Sequence, residues 1–177
     1  MNTLEAIAKR TSCRAYKAEQ IKDEDLTKIL QAANAAPVGM GKYETLKITV
    51  IQSRELLDKI DEEGKKFFNN PAMQHPLYGA PTLIMISGAA NNGDITMSLC
   101  NASCLIENMT IEAADLGLGS CYIMGNTAAI RNNAEICKAM QVPEGFKPCA
   151  GIIVGYAAAE AEKRELVTDK IQTVYVK

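Results

Sequence analysis

The chain has no tryptophan, three phenylalanines and one histidine, His75, so the side chains that most acid–base chemistry uses are nearly absent. A single histidine excludes most nucleophile–His–carboxylate triads, and neither a GxSxG elbow nor a zinc motif is present. There is no P-loop. Gly117-x-Gly119 follows a predicted helix rather than a strand and has no third glycine at position 122, so the dinucleotide fingerprint fails. No run approaches the roughly 20 apolar residues that span a bilayer, and no membrane association is expected. MNTLEAIAKR lacks a basic region followed by an apolar stretch, so no signal peptide is read and a cytoplasmic location is expected. Charge of either sign is not in excess: the net charge is -2, which gives no electrostatic reason to seek nucleic acid. No CxxC pair occurs among Cys13, Cys100, Cys104, Cys121, Cys137 and Cys149, and free thiols are expected. Cys100 and Cys104 share a helix face, but without a second ligand pair no metal is expected there. A chain so poor in acid–base groups is either not an enzyme or borrows its chemistry from a cofactor.

What is present is a well-patterned core. The length of 177 residues and 47% apolar content fit one domain, or one domain with a short arm. Leu4, Ile7 and Ala8 indicate a short first helix. Asp23 is placed to cap a second, with Leu26, Ile29, Leu30 and Ala33 on one face, and Pro37 lies just beyond its end. Leu46–Ile51 reads as a strand, and Ser53 as the cap of a helix carrying Leu56, Leu57 and Ile60. Phe67–Gly79 has no clean period and reads as a loop. Pro81–Ser87 and Cys149–Tyr156 are continuous apolar runs, the pattern of strands buried on both faces. From Asp94 to Gly117 a helix is expected whose circumference is apolar nearly all round. Such a helix is buried on all sides, in part by a partner subunit. Gly117 and Gly119 break it. A strand follows at Ser120–Met124, then Gly125, then a helix capped by Asn126 or Thr127 and running through Met140. Ile171–Val176 has strand composition. The expected class is α/β or α+β: a mixed central sheet with helices on both faces. Residues 1–160 form the domain and 161–177 an arm.

One segment looks built for an anion. In Lys9–Arg14, KRTSCR, the residues Arg10, Ser12 and Arg14 alternate, so an extended backbone projects all three from one face. Two guanidinium forks and a hydroxyl match a phosphate monoester. The same pattern also fits a solvated basic turn.

RTSCRAY, Arg10–Tyr16, resembles the R-x-S-x-R-x-[FY] opening of the nitroreductase family. APVGMG at Ala36–Gly41 resembles that family's A-P-S-x-x-N loop, with Val38 and Gly41 in place of its serine and asparagine and Tyr43-Glu44-Thr45 in place of its Q-P-W run. GAPTLIMI, Asn101–Gly125, CAGIIVGYA and Lys163-Arg164 are similar to its later elements, in the family's order. The resemblance implies a homodimer that exchanges C-terminal arms and holds FMN at the interface. It implies that Arg10, Thr11, Ser12 and Arg14 bind the FMN phosphate and ribityl chain, with Lys163 or Arg164 adding charge. Pro37, Val38, Gly39 and Met40 would come from the partner, and Tyr43 is a candidate for the missing polar contacts. Tyr122, Ile123, Met124 and Gly125 would lie against the ring system, with a backbone N–H near N5. The implied activity is ping-pong hydride transfer from NADH or NADPH to a small electron acceptor such as a nitro compound or quinone, with no catalytic side chain. The alternatives are an FMN-binding or redox-sensing protein without turnover, and a dehalogenase or flavin-fragmenting relative.

Overall fold

The computed structural model describes residues 1–177. Its elements in chain order are α1 (Thr3–Lys9), α2 (Asp23–Asn34), β1 (Leu46–Ile51), α3 (Arg54–Phe68), β2 (Thr82–Ala89), α4 (Thr96–Asp115), β3 (Gly119–Ile123), α5 (Gly125–Ile130), α6 (Ala134–Ala139) and β4 (Phe146–Gly155). The class is α+β, with one four-stranded sheet in the order β1-β2-β4-β3. The expectation of a mixed sheet narrows, because all three strand pairs are antiparallel. Parallel pairing is confined to a single bridge, Ser12 to Ser120, beside β3.

Helices cover both faces, and the strand alternation decides which residue faces which layer. On one face Ile84, Ile86, Ala150, Ile152 and Val154 pack with Ile29 and Ala33 of α2 and with Ala102, Leu105, Ile106 and Met109 of α4. On the other, Leu83, Met85, Cys121, Ile123 and Ile153 pack with Leu57 and Ile60 of α3, Ile130 of α5 and Ile136 of α6. This explains the unbroken apolar runs in β2 and β4: both strands are central and both of their faces are covered. Ile106 is fully buried between α4 and the sheet. Ile106→Ala should therefore cost about 2–5 kcal/mol, read as a lower urea midpoint at unchanged slope.

α4 is the central element. Its 20 residues span roughly 30 Å at 1.5 Å per residue. It begins at Thr96, not Asp94, because Asp94 turns back to accept from the Thr96 N–H at 2.8 Å. It ends in a tight glycine cap: Gly117 takes φ +75°, and the Leu118 N–H reaches Ala113 O at 2.8 Å. The polar groups within it are spent on neighbours. Asn108 donates to Ala32 O at 3.1 Å, tying α4 to α2, and Ser98 donates to Ala89 O at 2.9 Å. The expectation of burial all round is not met within one chain. Met97, Cys100, Ser103, Cys104 and Glu107 form an open stripe at helical spacing.

Other expectations shift for local reasons. Lys22, not Asp23, precedes the first turn of α2, and Asp23 serves as a first-turn acid instead. Ser53 does cap α3, accepting from the Leu56 N–H at 3.4 Å. The helix expected through Met140 divides into α5 and α6, because Asn133 accepts from the Ile136 N–H at 3.1 Å and starts a new N-terminus. Leu4 is exposed, and α1 buries Ala6 and Ala8 instead. Ile171–Val176 pairs with nothing in its own chain and is fully exposed. No helix is long and apolar enough to cross a membrane.

Candidate functional site

The candidate anion segment, Lys9–Arg14, lies where α1 ends. Arg10 is the α1 C-cap, and the chain then runs extended beside β3. The Cys13 N–H donates to Ser120 O at 2.8 Å, and Tyr16 bridges to Ala157. The close approach has a cause in the sequence. A Cβ on Gly119 would stand 2.7 Å from Cys13 Sγ, so only glycine at 119 lets the segment lie against β3. Cys13 thus turns in toward β3, while the flanking Ser12 and Arg14 are exposed. The segment encloses a cavity of about 440 Å³ with Gly117–Ser120 and the chain after β4. Its lining includes Arg10, Thr11, Ser12 and Arg14, and also Glu160. A volume of this size suits a ligand of cofactor dimensions.

The cavity carries more positive than negative charge, with Lys9, Arg10 and Arg14 against Glu160. Arg54, Arg131 and Arg164 all donate to protein oxygens. Arg10 and Arg14 enter no ion pair. The buried thiol of Cys121 registers their presence. Burial pushes its pKa up, while Arg14, a hydrogen bond with Ser12 and, more weakly, Arg10 pull it back. Tyr16 is pushed well above the ordinary tyrosine range, chiefly by burial, and its hydroxyl donates to Cys13 O at 2.9 Å. That bond fixes the turn of the segment from the far side. Two guanidinium groups without a protein partner and two hydroxyls form a donor set that fits a phosphate monoester, and the small side chains of Ala157, Ala159 and Ala161 leave room beside it.

Other candidate residues lie elsewhere. Lys163 is exposed, and neither it nor Arg164 lines the cavity. Arg164 instead caps α1: its Nη2 donates to Ile7 O at 2.8 Å and its backbone N–H to Ala8 O at 2.9 Å. Its Nε is buried with no protein partner, a spare donor one turn from Arg10. The Pro37–Met40 loop, assigned by the resemblance to the partner's flavin, is anchored in its own chain, with Val38 buried in the core under α4. The Gly39 N–H donates to Asn101 Oδ1 at 3.0 Å, so the loop is pinned to α4. Only Met40, with φ 57° and 83% of its surface exposed, stands free beside the exposed Pro37. Tyr43 points away from the cavity, donating to Ala36 O at 3.3 Å and lining a second, apolar groove beside β1.

β3 continues from the cavity to the remaining candidates. From Ser120 to Met124 is roughly 13 Å at 3.3 Å per residue. The side chain of Ile123 is spent in the core on the α3 side, and Tyr122 packs toward the opposite core with its hydroxyl 3.1 Å from that of Ser103. Of this stretch Met124 is exposed and Tyr122 is half-buried, while the side chains of Ser120, Cys121 and Ile123 are buried. Gly125 was expected to admit a ligand. Its open side is instead occupied by the ring of Phe68, whose Cζ lies 1.9 Å from where a Cβ would be. Phe68 was missed because it ends a helix and contacts a residue far away in sequence. The visible signal was a pair of phenylalanines after a charged turn, in a chain with only three.

An α+β sandwich with an uncommitted arginine pair beside its edge strand defines a class of ligand-binding domain, and the comparisons give it a family. The nitroreductase family model matches residues 7–156, and the chain belongs to that family. An FMN reductase (NADPH) of Bacillus subtilis is 26% identical over 175 residues, covering 92% of this chain and 69% of that protein. The crystal structure of a nitroreductase with bound FMN from Desulfitobacterium hafniense superposes with a TM-score of 0.84 at 26% identity, covering 99% of this chain and all of the other. One from Bacteroides fragilis, also with bound FMN, gives 0.81 at 28% identity over the same share of both chains.

Proposed function

We propose that this protein is an FMN-dependent NAD(P)H oxidoreductase that works as a homodimer and passes electrons to small acceptors such as nitro compounds or quinones. The observation that carries the reading is the uncommitted pair Arg10 and Arg14, flanking Ser12 at the mouth of a cavity beside β3. Family membership and the FMN-bound relatives support it. In this reading Arg10, Thr11, Ser12 and Arg14 hold the phosphate and ribityl chain. The backbone of Tyr122–Gly125 would hold the ring system, and a Met124 or Gly125 N–H would donate to it. Bound there, FMN supplies reversible hydride transfer between NAD(P)H and the acceptor. The protein residues bind, orient and exclude water.

The dimer is part of the same reading. β1 is an open sheet edge, because β2 pairs only one of its sides. A groove of about 370 Å³ runs beside it, lined by Leu30, Ala33, Tyr43, Leu46, Ile48, Val50 and Leu105. The arm 161–177 carries Ile171, Val174, Tyr175 and Val176 into solvent, where its own chain gives them no cover. Exchange of arms under two-fold symmetry would cover both the edge and the arm. Met40 and Pro37 would then reach the partner's flavin.

The test is a spectrum. Protein purified with added FMN should carry flavin absorbance that is lost rapidly on anaerobic mixing with NADH or NADPH. Slow loss over minutes would favour the FMN-binding or redox-sensing reading without turnover. Failure to retain FMN would sink both.

A further inference from the structure

A second cavity lies at the other end of the sheet. β4 runs from Phe146 to Gly155, roughly 30 Å at 3.3 Å per residue. Gly155 pairs with Gly119 at the cavity beside Lys9–Arg14, whereas Phe146 lines the second one. It encloses about 480 Å³ between the turn after β2, the junction of α5 with α6 and the loop into β4.

Its walls are braced against one another. Asn92 at φ 51° and Gly93 at φ 85° turn the chain between Asn91 and Asp94, whose backbones bond to each other at 2.8 and 2.9 Å. Asn-Gly is the pair that this left-handed turn favours. The Ala90 N–H donates to Gly145 O at 2.8 Å, tying the turn to the loop into β4, while the N–H groups of Asn92 and Gly93 have no partner in the chain.

Two cations line the cavity, each held by a neutral oxygen. Arg131 Nε donates to Pro148 O at 3.0 Å, and Lys147 Nζ donates to Asn132 Oδ1 at 3.1 Å. Neither enters an ion pair, so each is positioned without being neutralised, and the two Arg131 Nη groups keep their donors. The one acid in the lining, Glu144, is exposed and pairs with neither. Burial pushes the Cys137 thiol in the same lining up, and Lys147 pulls it back. Cations already held by the fold lose little side-chain freedom when an anion arrives. Phe146 and Val142, both half-buried, add an apolar wall. An inorganic anion alone would leave most of the volume and that wall unused.

We propose that this cavity is a second binding site, separate from the one beside Lys9–Arg14, and that it takes a phosphate monoester carried on a planar group, a ligand of the mononucleotide class. The phosphate meets Arg131, Lys147 and the free N–H groups, and the planar group lies against Phe146. None of this depends on the flavin reading.

The test is calorimetric titration of the full chain with AMP, adenosine and inorganic phosphate. AMP should bind more tightly than either fragment, and its affinity should fall as salt rises. Arg131→Gln removes a charge-assisted contact and should weaken AMP about ten- to a hundredfold. It also gives up the tie to Pro148, so Lys147→Gln is the second variant; it touches no core residue and should weaken AMP about two- to fivefold at an unchanged melting temperature. Unchanged AMP affinity in both variants would overturn the proposal, because AMP would then sit elsewhere. Adenosine or inorganic phosphate binding as tightly as AMP would overturn it too, as would a parent chain that binds no AMP.

Discussion

Arg14→Ala should lower FMN affinity about ten- to a hundredfold while lowering riboflavin affinity much less. The two ligands differ only in the phosphate, so their comparison isolates the contact at issue. A charge-assisted hydrogen bond contributes roughly 1.5–3 kcal/mol, and each 1.4 kcal/mol is tenfold in affinity. Arg14 is exposed and makes no ion pair, so its loss removes no internal contact and the fold should keep its melting temperature. Arg10 is the weaker test, because it also ends α1. The measurement is a fluorescence titration of each apoprotein with FMN and with riboflavin. Equal losses for both ligands would place the phosphate away from this segment.

The extended course of Lys9–Arg14 was legible because its signal is local. Alternation on an extended chain needs only a neighbouring strand, and the Ser12–Ser120 bridge supplies one. The apolar runs of β2 and β4 were legible for a related reason, since a strand covered on both faces leaves no polar positions to break the run. Strand direction was not legible. The connection between β1 and β2 contains a helix, which fits a parallel crossover as readily as the antiparallel pairing found. The burial of the Ile123 side chain was not legible, because it depends on which face of β3 looks inward. Its period-two neighbour Cys121 shares that face and was the available clue. Gly125 shows the limit most plainly. A glycine reads as room for close approach, but what approaches is decided by tertiary packing, here the ring of Phe68 from α3.

Deleting the residues after Thr168 should convert the dimer to monomer and release flavin in the same step. The deleted segment buries nothing in its own chain: residues 169–177 are all exposed, and the set includes Ile171, Val174, Tyr175 and Val176. Its removal therefore cannot harm the core, and the truncated chain should keep its helical circular dichroism. In the proposed dimer, what it removes is cover for β1 and its groove on a second copy, together with whatever that second copy places at the flavin. α4 adds to the same surface through its open stripe from Met97 to Glu107. An interface built from an exchanged arm and a long helix belongs to the obligate class, above about 2,000 Å² in total. The loss of one component should then lower the dimer population by orders of magnitude instead of trimming it. Sedimentation equilibrium reads the oligomeric state, and flavin absorbance after gel filtration reads retention on the same sample. A truncated chain that stays dimeric would show that the arm is dispensable. One that turns monomeric yet keeps FMN would show that a single chain completes the flavin site.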